Sequence, residues 1–384
     1  MSEPAIPEPA IPERAIPRSA VPPAGNTGST PDLSTVGYGG PWPALLDSID
    51  PDGVHGRVVR ADRGAATVLT AAGHVRVTWT PATAPPVTGD WVVVRPDPYA
   101  GPNHGLLGGV ATRTTSMTRP NTHGQRSSNE ADQVLAANVD IVGVVVVADE
   151  EPNVRRLERG VVMAYESGAQ PLVLLTKVDL VERRDIAIAR AEQAAIGVEV
   201  MPISPLTGEG VEELRARLAP DRTIVLLGAS GVGKSTLTNA LVGEEVLVTQ
   251  DVRAVDGKGR HTTTHRELVA LPGGGAVLDT PGLRTLGLGV VEDGMAAAFP
   301  EIEELAGGCR FGDCRHDGEP GCAVLTALDD GTLDPDRLEG WRRIRAASEN
   351  AALRADTAAY RQTARSWGRI YRDAQSLKLS LIHI

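Results

Sequence analysis

Three cysteines in 384 residues, all inside one 14-residue stretch, are too few and too clustered for a disulfide framework. No run of about 18 apolar residues occurs, so no membrane-spanning helix is expected. The chain starts with prolines and acids, where a secretory leader has a basic start and an apolar stretch, so the sequence reads as cytosolic. Lysine is scarce: only four of the 38 basic residues are not arginine. The net charge of −11 argues against a nucleic-acid partner until its distribution is considered. Residues 54–128 hold eight arginines against three acids, and residues 337–373 hold nine against four. Residues 129–308 carry 16 basic and 28 acidic residues. An acidic middle therefore sits between two basic modules, a pattern that random drift of surface charge also produces.

The first 40 or so residues repeat a proline unit ("AIPEP", "AIPER", "AIPRS"), which excludes helices and central strands and predicts a disordered tail over 1–50. From Val54 the pattern turns to short alternating runs: "GRVVRAD", "ATVLTAA", "HVRVTWT", "DWVVVRP" and "GGVATRTTSMTR". Five short strands predict a small barrel over 51–125, of OB or SH3-like type, which periodicity alone does not separate. After Val139 come apolar strands alternating with helices, the pattern of a parallel sheet covered on both faces. The predicted helices are Val154–Ser167, Arg183–Ala195, Val211–Leu218 and Ser235–Val242.

"GASGVGKS" fits G-x-x-x-x-G-K-[ST] between a buried strand and a helix. Gly228, Ala229, Ser230, Gly231, Val232 and Gly233 would turn backbone N–H groups onto phosphate oxygens. Lys234 would reach the β- and γ-phosphates, Ser235 would ligate Mg²⁺, and Thr236 continues the helix N-terminus that favours anions. "VLDTPG" ends a later strand; Asp279 is expected to hold Mg²⁺ through water and Gly282 to donate to the γ-phosphate. Between them, "GRHTTT" offers a threonine for Mg²⁺ and the γ-phosphate. Thr263 is the choice over Thr262 and Thr264.

"TKVD" precedes all of this. Asp179 can accept from N1–H and the 2-amino group of guanine and repels the acceptor N1 of adenine, which argues for GTP. Lys177 would lay its stem against the base, and Thr176 stands where such motifs usually have asparagine. "ISPLTGEG" supplies a second base loop, with Ser204 and Leu206 giving backbone contacts. The order is thus base loops, phosphate loop, switch threonine, D-x-P-G: a circularly permuted GTPase over 126–300. Downstream, Cys309, Cys314, His316 and Cys322 read C-x4-C-x-H-x5-C, a closed tetrahedral zinc site of structural type within a small α domain over 301–375. Arginines on the helices of 335–372 are either solvated or a phosphate-contacting surface. The apolar end 376–384 continues no motif.

With these residues in view, "GASGVGKST", "GRHTTT", "DTPG" and "CRFGDCRHDGEPGCAV" in permuted order, the chain resembles the ribosome small-subunit-dependent GTPase A family over about residues 50–375. The resemblance implies an OB-fold barrel, a circularly permuted α/β P-loop GTPase and a small α zinc-binding domain, in that order. It implies GTP hydrolysis to GDP and phosphate, stimulated by the small ribosomal subunit, in late subunit maturation. The partners it implies are that subunit and its rRNA, with no membrane, for a monomer in the cytoplasm. GTP, Mg²⁺ and one zinc are the expected cofactors and substrate. His261 beside the switch threonines is the internal candidate for orienting water, because Leu283 occupies the place after D-x-P-G where many GTPases have glutamine. Lys234, Thr263 and His261 are the expected catalytic set. Rival readings are a GTPase of another ribosomal particle, a GTP-binding RNA module with little hydrolysis, and an ATPase or small-molecule kinase.

Overall fold

In the computed structural model, residues 32–81, 83–101, 103–119, 133–149, 152–243, 266–279 and 289–353 are described. Five strands form the barrel: β1 (Val54–Asp62), β2 (Ala65–Thr70), β3 (Gly73–Thr78), β4 (Trp91–Pro96) and β5 (His104–Val110). The order β1-β2-β3-β5-β4 closes by β4 pairing back onto β1, and β3 runs parallel to β5. This closed Greek-key barrel is the OB arrangement left open by periodicity. Its interior is filled by alternate apolar residues, among them Val58, Val68, Val77, Val92 and Val94.

The fifth strand starts earlier than the sequence suggested. "GGVATRTTSMTR" is not one strand: β5 ends at Val110, and β6 (Ser116–Arg119) leaves the barrel to pair with β7 (Gln133–Ala137) in a separate two-stranded sheet. The backbone must change partner between them, which a β-propensity run does not reveal.

The tail prediction also needs correction at its end. Residues 42–49 form a helix, α1 (Trp42–Ile49), with Pro41 at its N-cap and Pro43 in its first turn, where proline is tolerated. Trp42, Leu45, Leu46 and Ile49 follow helical spacing. Leu46 is fully buried, Trp42 stacks on Trp91 with ring centroids 5.7 Å apart, and Ile49 packs where Gly109 leaves no Cβ. The proline repeat itself lies outside the described residues.

The nucleotide domain contributes β8 (Ile141–Val147), β9 (Gln170–Thr176), β10 (Val200–Ile203), β11 (Thr223–Leu227), β12 (Glu267–Ala270) and β13 (Ala276–Asp279). Their order is β10-β9-β8-β11-β13-β12, parallel except for β12. Helices α2 (Val154–Glu166), α3 (Arg184–Ala194), α4 (Val211–Leu218) and α5 (Lys234–Val242) cover the sheet. Two apolar clusters lie on its two faces, as doubly covered strands require. Strand β12 also pairs with β1, Glu267 opposite Arg60, so barrel and nucleotide domain share one 11-stranded sheet. A buried arginine reinforces that junction. Arg57 donates to the carbonyls of Val36, Gly89 (3.4 Å) and Asn138 (2.9 Å) and lies 5.1 Å from the Trp91 ring centroid. Burial pulls its guanidinium down to about 10.

The helical module follows: α6 (Glu292–Ala298), α7 (Pro300–Ala306), α8 (Ala323–Asp329) and α9 (335–353), which reaches the end of the described residues. No helix among the described residues is long and apolar enough to cross a membrane.

Candidate functional site

The phosphate loop leaves β11 and enters α5. Gly228 must be glycine: a Cβ there would sit 2.5 Å from the Val145 carbonyl oxygen. Gly233, at φ +100°, caps α5 in the left-handed region that favours glycine. No side chain caps this helix start, and the partial positive charge of a helix N-terminus favours an anion there. Lys234 Nζ lies 2.8 Å from the Gly228 carbonyl and 2.6 Å from that of Ala229, holding the cation over the loop it follows.

The base loop leaves β9. Lys177 has φ +60°, an uncommon conformation for a side-chain-bearing residue, and Val178 buries to pin the single 3₁₀ turn Val178–Leu180. Asp179 is thereby left exposed. Thr176, at the usual asparagine position, is fully buried. Its Oγ1 lies 2.7 Å from the Val232 carbonyl in the phosphate loop and 3.0 Å from the Val146 carbonyl, one hydroxyl proton facing two acceptors. A segment read some fifty residues upstream is thus hydrogen-bonded to the phosphate loop. Thr176 serves as a strut between the loops, a role that the missing amide did not suggest.

The second base loop follows β10. Buried Ser204 accepts Gly208 N–H at 2.9 Å through its carbonyl and donates its own N–H to Glu209 at 3.0 Å, making a tight turn that leaves Leu206 79% exposed. Gly210 then caps α4 at φ +74°, where a Cβ would meet the Pro202 carbonyl. A cavity of about 720 Å³ opens at the carboxyl ends of β8 and β9, lined by Asp149, Lys177, Leu180 and Glu182 among others. The crevice beyond the carboxyl ends of parallel strands is where such sheets bind ligands. Ser235 and Thr236 lie in the first turn of α5, and Asp279 is the last residue of β13, the strand beside β11. Thr263, His261 and Gly282 lie outside the described residues.

The four predicted metal ligands come together: their ligand atoms all lie within 4.8 Å of one another. Cys309 and Cys322 sulfurs are 3.9 Å apart, and His316 Nδ1 is 3.6 Å and 3.3 Å from them. Zinc–sulfur bonds of about 2.3 Å in a tetrahedron put sulfurs about 3.8 Å apart, so the donor set fits that ion. Burial raises the Cys309 thiol pKa, but N–H groups of Val324 and Ala323 and the neighbouring thiols outweigh it and hold the pKa below the ordinary value. Burial and the neighbouring Cys322 and Cys309 thiols push the Cys314 thiol the other way, up to about 11, so the two sulfurs share one easily lost proton rather than resting as two thiolates. His316 sits at φ +60° with its ring 5.2 Å from that of Trp341.

The arginines of α9 are not all available to phosphate. Arg337 is buried; it donates to Glu301 (2.7 Å) and to the carbonyls of Ala298 (2.9 Å) and Ala194 (3.2 Å), and stacks over Phe299. It thereby ties the helical module to α3. Across the same seam, the buried Glu158 of α2 faces Arg337 at 3.5 Å and Arg343 at 3.7 Å, with no hydrogen-bond partner on either oxygen. Burial pushes its carboxyl up to about 7 against the pull of those arginines, with Glu301 and Asp336 pushing the same way as burial. A raised folded-state pKa means the folded chain holds a proton that the unfolded chain has lost. The stability this gives is full below the ordinary value of 4.5 and is lost as pH rises through about 7. Glu158→Gln is expected to leave stability little changed at pH 4.5 and to raise it by on the order of 1–2 kcal/mol at pH 8. Denaturant midpoints at the two pH values check this; a variant that is less stable at pH 8 refutes it.

Comparison with known proteins adds three findings. The sequence model of the RsgA GTPase family matches residues 110–289. A Streptomyces coelicolor protein named small ribosomal subunit biogenesis GTPase RsgA is 45% identical over 336 residues, covering 85% of this chain and 89% of that one. Two solved structures share the fold. YjeQ from Thermotoga maritima matches with TM-score 0.57 and 25% identity, over 76% of this chain and 96% of its own. YloQ, described as a circularly permuted GTPase, matches with TM-score 0.57 and 24% identity, over 78% and 96%.

Proposed function

The chain belongs to the RsgA GTPase family, and from that premise we propose that it hydrolyses GTP in the maturation of the small ribosomal subunit, with the subunit stimulating turnover. The observation that carries the reading is the hydrogen bond from Thr176 to Val232, which fastens a guanine-reading loop to a phosphate cradle.

Asp179 selects guanine by accepting two donors, with Lys177 against the base and the loop of Ser204 and Leu206 closing its edge. Gly228, Ala229, Ser230, Gly231, Val232, Gly233 and Thr236 bind phosphates through backbone N–H groups, and Lys234 counters the charge that develops on the β–γ bridge. Ser235, Thr263 and Asp279 are the residues to hold Mg²⁺, which supplies charge neutralisation when bound. His261 is the candidate to orient water. Leu283 offers no hydrogen bond to that water, so basal turnover is slow and waits on the partner. Zinc held by Cys309, Cys314, His316 and Cys322 fixes the fold of the helical module. The barrel and the arginine-rich segment 337–373, with nine arginines against four acids, contact rRNA, in a monomer of the cytoplasm.

GTP turnover measured with and without purified small subunits tests the proposal. Stimulation of roughly tenfold or more by small subunits, weakening as salt rises, is expected. Equal rates with small subunits, large subunits and no particle overturn it.

A further inference from the structure

We infer that Arg215 is a positioning residue for nucleotide binding, locking the phosphate-loop helix to the helix that carries the second base loop. The inference rests on the nucleotide site proposed above.

Helix α5 begins at the phosphate loop and ends at Gly243, whose N–H caps the Asn239 carbonyl. The last carbonyls of any helix lack intrahelical donors and carry partial negative charge. Helix α5 has no basic residue in its own last turn to meet them. Arg215 of α4 supplies the charge from outside. Its Nε donates to the Leu241 carbonyl at 2.9 Å and Nη2 donates to the Ala240 carbonyl. Nη1 pairs with Glu212, one turn earlier on α4, which fixes the fork in orientation. Leu214 and Leu218 of α4 share a buried cluster with Leu237 and Leu241 of α5, so the two helices are already in contact. Apolar packing lets helices slide by small steps, whereas a forked cation on two carbonyls sets one register.

The consequence for binding follows from what each helix carries. Helix α4 is continuous with the loop of Ser204 to Gly210 through its glycine cap. Helix α5 is continuous with the phosphate loop. A guanine nucleotide spans both, so its affinity depends on their relative placement; a ligand with a base and no phosphates depends on one alone. Thr176 joins the two halves at the loops, and Arg215 joins them at the far end of α5.

Arg215→Met keeps the aliphatic stem and removes the fork. Equilibrium binding of GDP and of guanosine is measured on the full chain well below the unfolding temperature of each variant. The expected result is GDP affinity weakened roughly tenfold in Arg215→Met with guanosine affinity unchanged. Arg215→Lys is expected to recover only part of the loss, because an ammonium does not reproduce the planar fork, and it also serves if the methionine variant does not fold. GDP affinity unchanged in both variants, or GDP and guanosine affinities falling by the same factor, overturns the inference. A wild-type chain that fails to bind GDP refutes the underlying site instead.

Discussion

Lys234→Ala is expected to lower the maximal rate of GTP hydrolysis by about 10²–10³-fold, with GDP binding weakened far less. The asymmetry has a physical source. Transfer of the terminal phosphoryl group builds negative charge on the bridging and equatorial oxygens, and a cation in a fixed place stabilises that charge more than the ground state. Lys234 is fixed: it stands at the start of α5 and its ammonium is held by the Gly228 and Ala229 carbonyls. The backbone donors of the loop remain in the variant, because Gly228 and Gly233 set the loop conformation without the lysine. Single-turnover hydrolysis and GDP titration separate the two effects. A variant that retains wild-type turnover would remove the lysine from the mechanism.

Cys322→Ser is expected to abolish zinc retention and release the helical module, with GDP binding preserved in the nucleotide domain. Serine is a demanding test here. Cys322 is the N-cap of α8 and accepts the Leu325 N–H at 3.4 Å, and serine is also a preferred N-cap, so the helix start survives and the ligand alone is lost. Binding of structural zinc contributes on the order of 10 kcal/mol of folding free energy in small modules, more than short helices such as α7 and α8 recover by packing. Metal content and hydrogen exchange across residues 292–353 report the outcome. One zinc per chain retained, or unchanged protection after chelation of the wild type, contradicts the assignment.

Much of the site was legible because its motifs work through backbone and short spacing. "GASGVGKS" needs only a strand before it and a helix after it, and both are present. C-x4-C-x-H-x5-C places four ligands within 14 residues, so few conformations separate the pattern from the cluster. The barrel was legible as five strands, yet the fifth was misplaced and β7 was missed, since both depend on which partner edge is free. Helix α1 was lost inside a proline-rich prediction, although Trp42, Leu45, Leu46 and Ile49 carried the helical signal. Among the described residues, the buried arginines looked like their exposed neighbours: nothing local marks Arg57 or Arg337 as interior.

By itself the sequence determined the family and the order of its motifs: "TKVD" and "ISPLTGEG" first, "GASGVGKS" second, the three cysteines and one histidine third. Each of these is written in residue type and spacing over a few turns of chain. The tertiary structure decided what holds them together: Thr176 on Val232, Arg215 on the end of α5, Arg60 opposite Glu267, and Arg337 buried between domains. Those contacts join residues from 26 to more than 200 positions apart, and a long-range partner is chosen by packing and by the need to satisfy buried polar groups, which no local pattern encodes.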